Sequence, residues 1–201
     1  MPLDATIQMF TGIVALAVAL YARRGYQWVQ ESSLYRIFVA FSLLAAAFII
    51  SGAVMAFAEI QHITFDQAAG SGALTQAGFA LYYGLSIAAY AILIYTYWKQ
   101  LGLFAAAPMG PLVLFNSPPL ELVLILLLGI IVCAQLLHEK GKGWRSRVVI
   151  MVSFILVLVS HVLILLESGS NEYDLYLLAR GLQMVGFGLM VVFLYRLGRV
   201  S

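Results

Sequence analysis

The sequence predicts an all-α integral membrane protein: a seven-helix transmembrane bundle with its N-terminus outside and its C-terminus in the cytoplasm. Three observations predict it. Six long apolar stretches fill most of the 201 residues, which are 63% hydrophobic and 10% charged with mean hydropathy +0.99; a soluble domain carries roughly 25% charged residues. The basic residues gather on one face only if a seventh, shorter crossing is added. The three tryptophans then fall on that same face.

Stretches of about 20 apolar residues cross a bilayer as helices. Span 1 covers residues 5–22 and follows MPLDAT, which lacks the basic segment of a cleavable signal. It is therefore read as retained, with a short tail carrying Asp4 on the outside. Span 2 covers residues 34–58 and ends at Glu59; span 3 covers 74–98. Span 5 covers 119–138 and holds Cys133, the single cysteine, which excludes an internal disulfide and a Cys-rich metal centre. Span 6 covers 147–166 and ends at Glu167; span 7 covers 174–196.

Span 4, Leu101–Phe115, decides the topology. Read as a loop, it leaves the 11 Lys and Arg residues split five against six between the two faces. Read as a crossing, it puts Arg23, Arg24, Arg36, Lys99, Lys140, Lys142, Arg145, Arg147, Arg196 and Arg199 in the cytoplasm. Only Arg180 is left toward the outside. This bias in Lys and Arg is the recognised orientation signal. Asp4, Glu59, Asp66, Glu121, Glu167, Glu172 and Asp174 lie outside or near that surface, and Trp28, Trp98 and Trp144 fall at the cytoplasmic boundary. Fifteen helical residues reach only about 22 Å, short of a core of about 30 Å. Pro108, Gly110 and Pro111 interrupt the stretch. A partly unwound segment would reach further but needs protein or a wet cavity around its freed backbone. Such broken helices mark binding sites in transporters; a short tilted linker fits the same residues.

The directions of spans 1–3 repeat in spans 5–7, giving units 1–98 and 119–201 around a linker at 99–118. Each unit has a basic first loop and an acidic second loop. This three-one-three layout resembles the topology of SWEET and PQ-loop sugar carriers. Their Pro-Gln pair is absent, the nearest stretch being Pro118-Pro119-Leu120-Glu121, and no residue is carried over. Val185-Gly186-Phe187-Gly188-Leu189 is similar to the last helix of microbial rhodopsins, but that helix has no lysine for a retinal Schiff base.

Polar side chains in hydrocarbon need partners and so point inward. In span 3, Gln76, Tyr83, Tyr90 and Tyr97 recur every seven residues with Ser86 beside them, close to two helical turns and hence one stripe. In span 6, Ser153, Ser160 and Glu167 form a second stripe next to His161, the one histidine inside a span. Span 7 adds Arg180 and Gln183. These residues either line a ligand cavity or pack as interhelical glue. The candidate ligand set is Gln76, Tyr83, Ser86, Tyr90, Ser160, His161, Arg180 and Gln183. Pairing of Arg180 with Glu167, Glu172 or Asp174 competes with that reading. Glu59, His62 and Glu167, with His161, form a candidate proton or cation site if spans 2 and 6 are neighbours. His138 and His62 do not match the depth of His161, so haem and other cofactors are not expected. Small residues spaced by four predict close helix contact at Gly52 and Ala56 and at Ala80, Gly84 and Ala88; Gly181 and Gly188 are candidates for the same role.

A net charge of +2 offers nothing to nucleic acid. No His-x-x-x-His pair, Gly-x-Ser-x-Gly elbow or phosphate-cradling loop is present, so the chain is read as non-enzymatic. Its partners are the lipid bilayer, a small-molecule ligand, and a membrane protein or second copy. The leading function is a small-solute carrier or ligand-binding bundle. A sensor signalling through a partner and an accessory subunit of a larger complex are the alternatives.

Overall fold

The computed structural model describes residues 2–64, 71–100, 117–137, 144–170 and 173–200. All but Gln30 and Glu31 lie in six α-helices: α1 (Pro2–Val29), α2 (Ser32–Thr64), α3 (Ser71–Gln100), α4 (Ser117–Leu137), α5 (Trp144–Ser170) and α6 (Tyr173–Val200). Each of the six is long and apolar enough to cross a membrane, so the chain is a multi-pass helical membrane protein. The predicted span Leu101–Phe115 lies outside the described residues, as do Asp66, His138, Lys140, Lys142 and Glu172.

The α1–α2 connection is tight. Gln30 adopts φ 53° and its N–H donates to the Tyr26 carbonyl at 2.7 Å, the left-handed stop that ends many helices. Glu31 then accepts from the Ser33 hydroxyl as α2 begins.

The helices close into a ring: each packs on its neighbours in sequence, and α6 returns to α1. Side-chain contacts fix the directions. Gly12 faces Ala45 and Ile49 while Gly52 faces Ala5 and Met9, so α2 is antiparallel to α1. Gly78 meets Val54 and Tyr82 meets Phe48, so α3 is antiparallel to α2. Tyr83 bonds Glu121 and Tyr97 lies beside Gln135, so α4 runs parallel to α3. His161 pairs with Glu121 while Phe154 and Gln135 both lie beside Tyr97, so α5 is antiparallel to α4; Gln183 faces His161 while Gly186 faces Ser153, so α6 is antiparallel to α5. Arg180 stands beside Gln8 and Tyr195 beside Tyr21, so α6 is parallel to α1. The ring thus holds two antiparallel sets of three, α1–α3 and α4–α6, joined at two parallel seams.

Charge follows this geometry. Among the described residues, Arg23, Arg24, Arg36, Lys99, Arg145, Arg147, Arg196 and Arg199 all lie on turns of helix at one end, here the basic end. Asp4, Glu59, Glu167 and Asp174 lie toward the other, the Asp4 end, and Arg180 is the one described cation in that half.

Lipid provides no hydrophobic drive between helices, so packing and interhelical hydrogen bonds must hold the bundle. Its middle is aromatic: Phe41 and Phe48 each meet Phe187 with ring centroids 5.8 Å apart. Leu44, Leu93, Leu128, Ile131 and Phe154 are buried around them. Phe10, Ile13, Leu16 and Leu20 of α1 and Leu122 and Leu126 of α4 face outward, as lipid contact requires.

The small-residue expectation is half right. Gly52 packs on α1, where an added Cβ would lie 3.0 Å from the Ala5 carbonyl oxygen. Ala80, Gly84 and Ala88 instead lie on an exposed face of α3. A Cβ added at Gly181 or Gly188 would meet no other helix within 4 Å among the described residues, and Gly186 makes the close contact on α6. Spacing identifies a small face but not which surface it meets.

Candidate functional site

In the half of the bundle nearer the Asp4 end, the apolar core gives way to a continuous polar network. Glu121 anchors it, one residue beyond the first turn of α4, where Pro118 and Pro119 open the helix. The Tyr83 hydroxyl donates to its Oε1 at 2.9 Å, and Nδ1 of His161 lies 2.7 Å from its Oε2. That partner set fixes the tautomer of a neutral His161: Nδ1–H donates to the carboxylate and Nε2 accepts. Facing Nε2 are the Tyr90 hydroxyl and the Gln183 amide nitrogen, each at 3.4 Å. Gln183 then turns its Oε1 to Arg180, whose Nη1 donates at 3.0 Å.

The other side of Arg180 faces the first set of helices. Its Nη1 also reaches the Tyr82 hydroxyl at 3.5 Å. Gln8 of α1, with its amide oxygen toward the guanidinium, accepts from Nε at 3.2 Å and Nη2 at 2.8 Å. The opposite amide orientation would set donor against donor. Tyr82 and Tyr176 present their rings to the guanidinium carbon at 5.8 and 5.0 Å, within cation–π range.

Donors in this chain all point one way: guanidinium to Gln183, Gln183 to His161, His161 to Glu121. A fixed cation lies at one end and a carboxylate at the other, with a titratable imidazole between. Chains so aligned polarise one another, and low dielectric strengthens each link. Glu121, His161, Arg180 and Gln183 are all at most 5% exposed, so the arrangement is dry and held on every side by protein.

Arg180 has no carboxylate within ion-pair distance among the described residues; every acceptor it meets is neutral. This corrects the expected pairing with Glu167 or Asp174; Glu172, the third expected partner, lies outside the described residues. Asp174 is exposed at the start of α6, and Arg180 sits nearly two turns deeper. A guanidinium in protein cannot shed its proton, so among the described residues the groups in direct contact with this buried positive charge are dipoles and tyrosine rings.

Of the expected ligand set, Tyr83, Tyr90, His161, Arg180 and Gln183 come together. Ser86 is buried on the same face of α3 and its hydroxyl has no partner among the described residues. Ser160 is buried but donates to the Val157 carbonyl of its own helix at 2.7 Å. Gln76, one heptad nearer the Asp4 end, is exposed; a seven-residue stripe drifts by about 20° per repeat. The grouping of Glu59, His62 and Glu167 with His161 is not assembled. α2 and α5 stand across the ring and do not touch in the described residues, and His161 is engaged by Glu121. The side chain of His62 lies outside what is described.

Sequence reasoning missed Glu121, Gln8 and Tyr82. Glu121 reads as a surface acid because it follows Pro118-Pro119. The available signal was that prolines at a helix start place the next residues inside it, with seventeen residues free of Asp, Glu, Lys and Arg after Glu121. Comparison with protein families, with characterised proteins and with solved structures gives no match.

Proposed function

We propose that the chain is a non-enzymatic small-solute carrier or ligand-binding bundle, with its site in the network between α1–α3 and α4–α6. One observation carries this reading. The contacts Tyr83–Glu121, Tyr90–His161, Arg180–Tyr82 and Arg180–Gln8 all run between the two sets of helices. Binding sites in membrane carriers lie where two such units meet. A polar junction buried in lipid is costly unless function retains it.

The seven-span, three-one-three layout belongs to the same reading. Its support is the parallel α3–α4 seam, which sets Gln100 and Ser117 at opposite ends of the bundle. With Glu121 level with Tyr83, these residues stand about 32 Å apart along the axis at 1.5 Å per residue. Seventeen steps of helix supply only about 26 Å, and extended chain up to about 58 Å, so a partly unwound crossing fits. The basic end then faces the cytoplasm. In a Cys133→Ser background, labels on Gln30→Cys and Ser201→Cys react from the same face of sealed vesicles. Reaction from opposite faces removes the crossing.

The direct test is thermal unfolding of the purified protein against sugars, amino acids, amines and organic acids. A solute at 100 times its Kd stabilises by about 2.7 kcal/mol. One class should raise Tm in the parent and lose its effect in Tyr83→Phe/Tyr90→Phe. If no solute stabilises the parent, the carrier reading falls. The accessory-subunit reading has its own support in the exposed Ala80–Gly84–Ala88 face, a spacing that suits another helix.

A further inference from the structure

We propose that the network binds a small monoanionic solute, a carboxylate, at Arg180, and that it takes up one proton on the Glu121–His161 pair as it does so. This rests on the carrier reading and specifies its substrate class.

The argument begins with charge. With His161 neutral, Glu121 and Arg180 sum to zero, although no direct ion pair joins them. An entering carboxylate would leave this dry site with a net negative charge, which low dielectric penalises heavily. One proton on the pair restores neutrality. A dianion would need two, and the network has one imidazole.

Hydrogen bonding supplies the coupling. Protonated His161 has two N–H donors, so Nε2 no longer accepts from the Gln183 amide. The Gln183 nitrogen 3.4 Å from Nε2 then opposes donor to donor. Rotating that amide by half a turn brings its oxygen to His161 and takes it from Arg180 Nη1. One guanidinium N–H is thereby released, and one on Nη2 is already free of the acceptors named above. Two parallel N–H groups are what a carboxylate needs. Proton and anion therefore favour each other's binding through the Gln183 amide, a positioning residue between them. The reciprocity is thermodynamically required.

The titratable and charged groups around the pair are Tyr82, Tyr83 and Tyr90 from α3 and Arg180 from α6, with Tyr176 beside Arg180. α1 presents neutral Gln8 to Arg180 and α2 presents Phe48 to Tyr82; Glu167 on α5 lies six residues beyond His161, half-buried. The orphaned Ser86 hydroxyl adds an unused donor on the same face, and four tyrosine rings suit an apolar or aromatic acid body.

The test uses the full chain in detergent with sodium benzoate, benzamide and phosphatidylglycerol, read by thermal shift and calorimetry. The range is about pH 5.5 to 8, where an ordinary carboxylic acid stays ionised. Benzoate should stabilise and benzamide should not. Benzoate affinity should rise by up to about tenfold for each unit that pH falls, the slope for one linked proton. Arg180→Gln should abolish the shift; should it not fold, Arg180→Lys should weaken it through loss of the planar fork. Gln183→Leu should bind benzoate with a flattened pH slope. Equal shifts with benzamide, a flat slope in the parent, a full slope in Gln183→Leu, or stabilisation by phosphatidylglycerol alone would each overturn the proposal. If neutral solutes stabilise and carboxylates do not, this assignment fails while the carrier reading stands.

Discussion

Within each set of three helices, glycines seat one helix hard against the next, at α1–α2, α2–α3 and α5–α6; across the two parallel seams the contacts are between side chains. An added Cβ at Gly12, Gly52, Gly78 or Gly186 would lie 2.7–2.9 Å from atoms of the adjoining helix. At the seams, Tyr83 reaches Glu121, Arg180 reaches Gln8, and Tyr21 meets Tyr195 with centroids 6.2 Å apart. The first kind of contact tolerates no rearrangement, since interlocked helices have no room to slide. The second can change partners by rotating side chains. Two stiff units joined by an adjustable polar junction are what a binding site between them requires.

The seams also differ from each other, and the largest expected effect tests that difference. At α3–α4 the carboxylate accepts from Tyr83 while His161 of α5 holds its other oxygen; at α6–α1 the guanidinium meets no carboxylate among the described residues. Glu121→Leu leaves Tyr83 and His161 without their acceptor and should cost about 3 kcal/mol, the lower range for breaking a buried pair. Arg180→Met removes a charge that has no ionic partner among the described residues and should stay within about 1 kcal/mol of the parent, given how little interhelical hydrogen bonds contribute in membranes. Equilibrium unfolding in mixed detergent micelles gives both values. Equal losses would make Arg180 a structural residue and the two seams equivalent.

The next effect separates packed from open glycines. Gly186→Ala would press a methyl group 2.8 Å from the Ser153 carbonyl oxygen and 3.0 Å from Val157 Cγ2. The α5–α6 pair must part, at about 1–3 kcal/mol. Gly84→Ala meets nothing within 4 Å and should fall within about 0.5 kcal/mol of the parent. The same unfolding assay decides it, and a neutral Gly186→Ala would show that the hairpin contact is as adjustable as the seams.

These two positions also mark what the sequence could reveal. Six spans, the inward stripe of Tyr83 and Tyr90, and the polar residues His161, Arg180 and Gln183 were legible, because hydrocarbon penalises an unpartnered polar group wherever it sits. Gly84 was misjudged because glycine and alanine suit protein and lipid surfaces alike, so their spacing carries no sign. Glu121 was missed because its partners come from α3 and α5, 38 and 40 residues away, and local pattern reads it as a helix-end acid. Gln8 lies inside span 1 four residues after Asp4, and its partner Arg180 is on the last helix, so local pattern gives it no role. What periodicity provides is the inward face; which inward faces meet depends on the ring order, and that is a property of the whole chain.

The smallest effect is the most diagnostic for the site. Ser86 is 1% exposed and its hydroxyl has no hydrogen-bond partner among the described residues, although a helical serine can usually bond to the preceding turn as Ser153 does. Burying an unmade hydrogen bond costs about 1–3 kcal/mol. Ser86→Ala should therefore leave stability unchanged or raise it by up to about 1 kcal/mol without ligand. It sits between Tyr83 and Tyr90 on one face of α3, so a solute in the network would be its natural partner. The substitution should then reduce the thermal shift produced by a bound solute while improving the unliganded protein. Opposite signs in the two measurements place Ser86 in the site. If instead Ser86→Ala destabilises the unliganded protein by about 1 kcal/mol, the hydroxyl has a structural partner and the binding face ends at Tyr83.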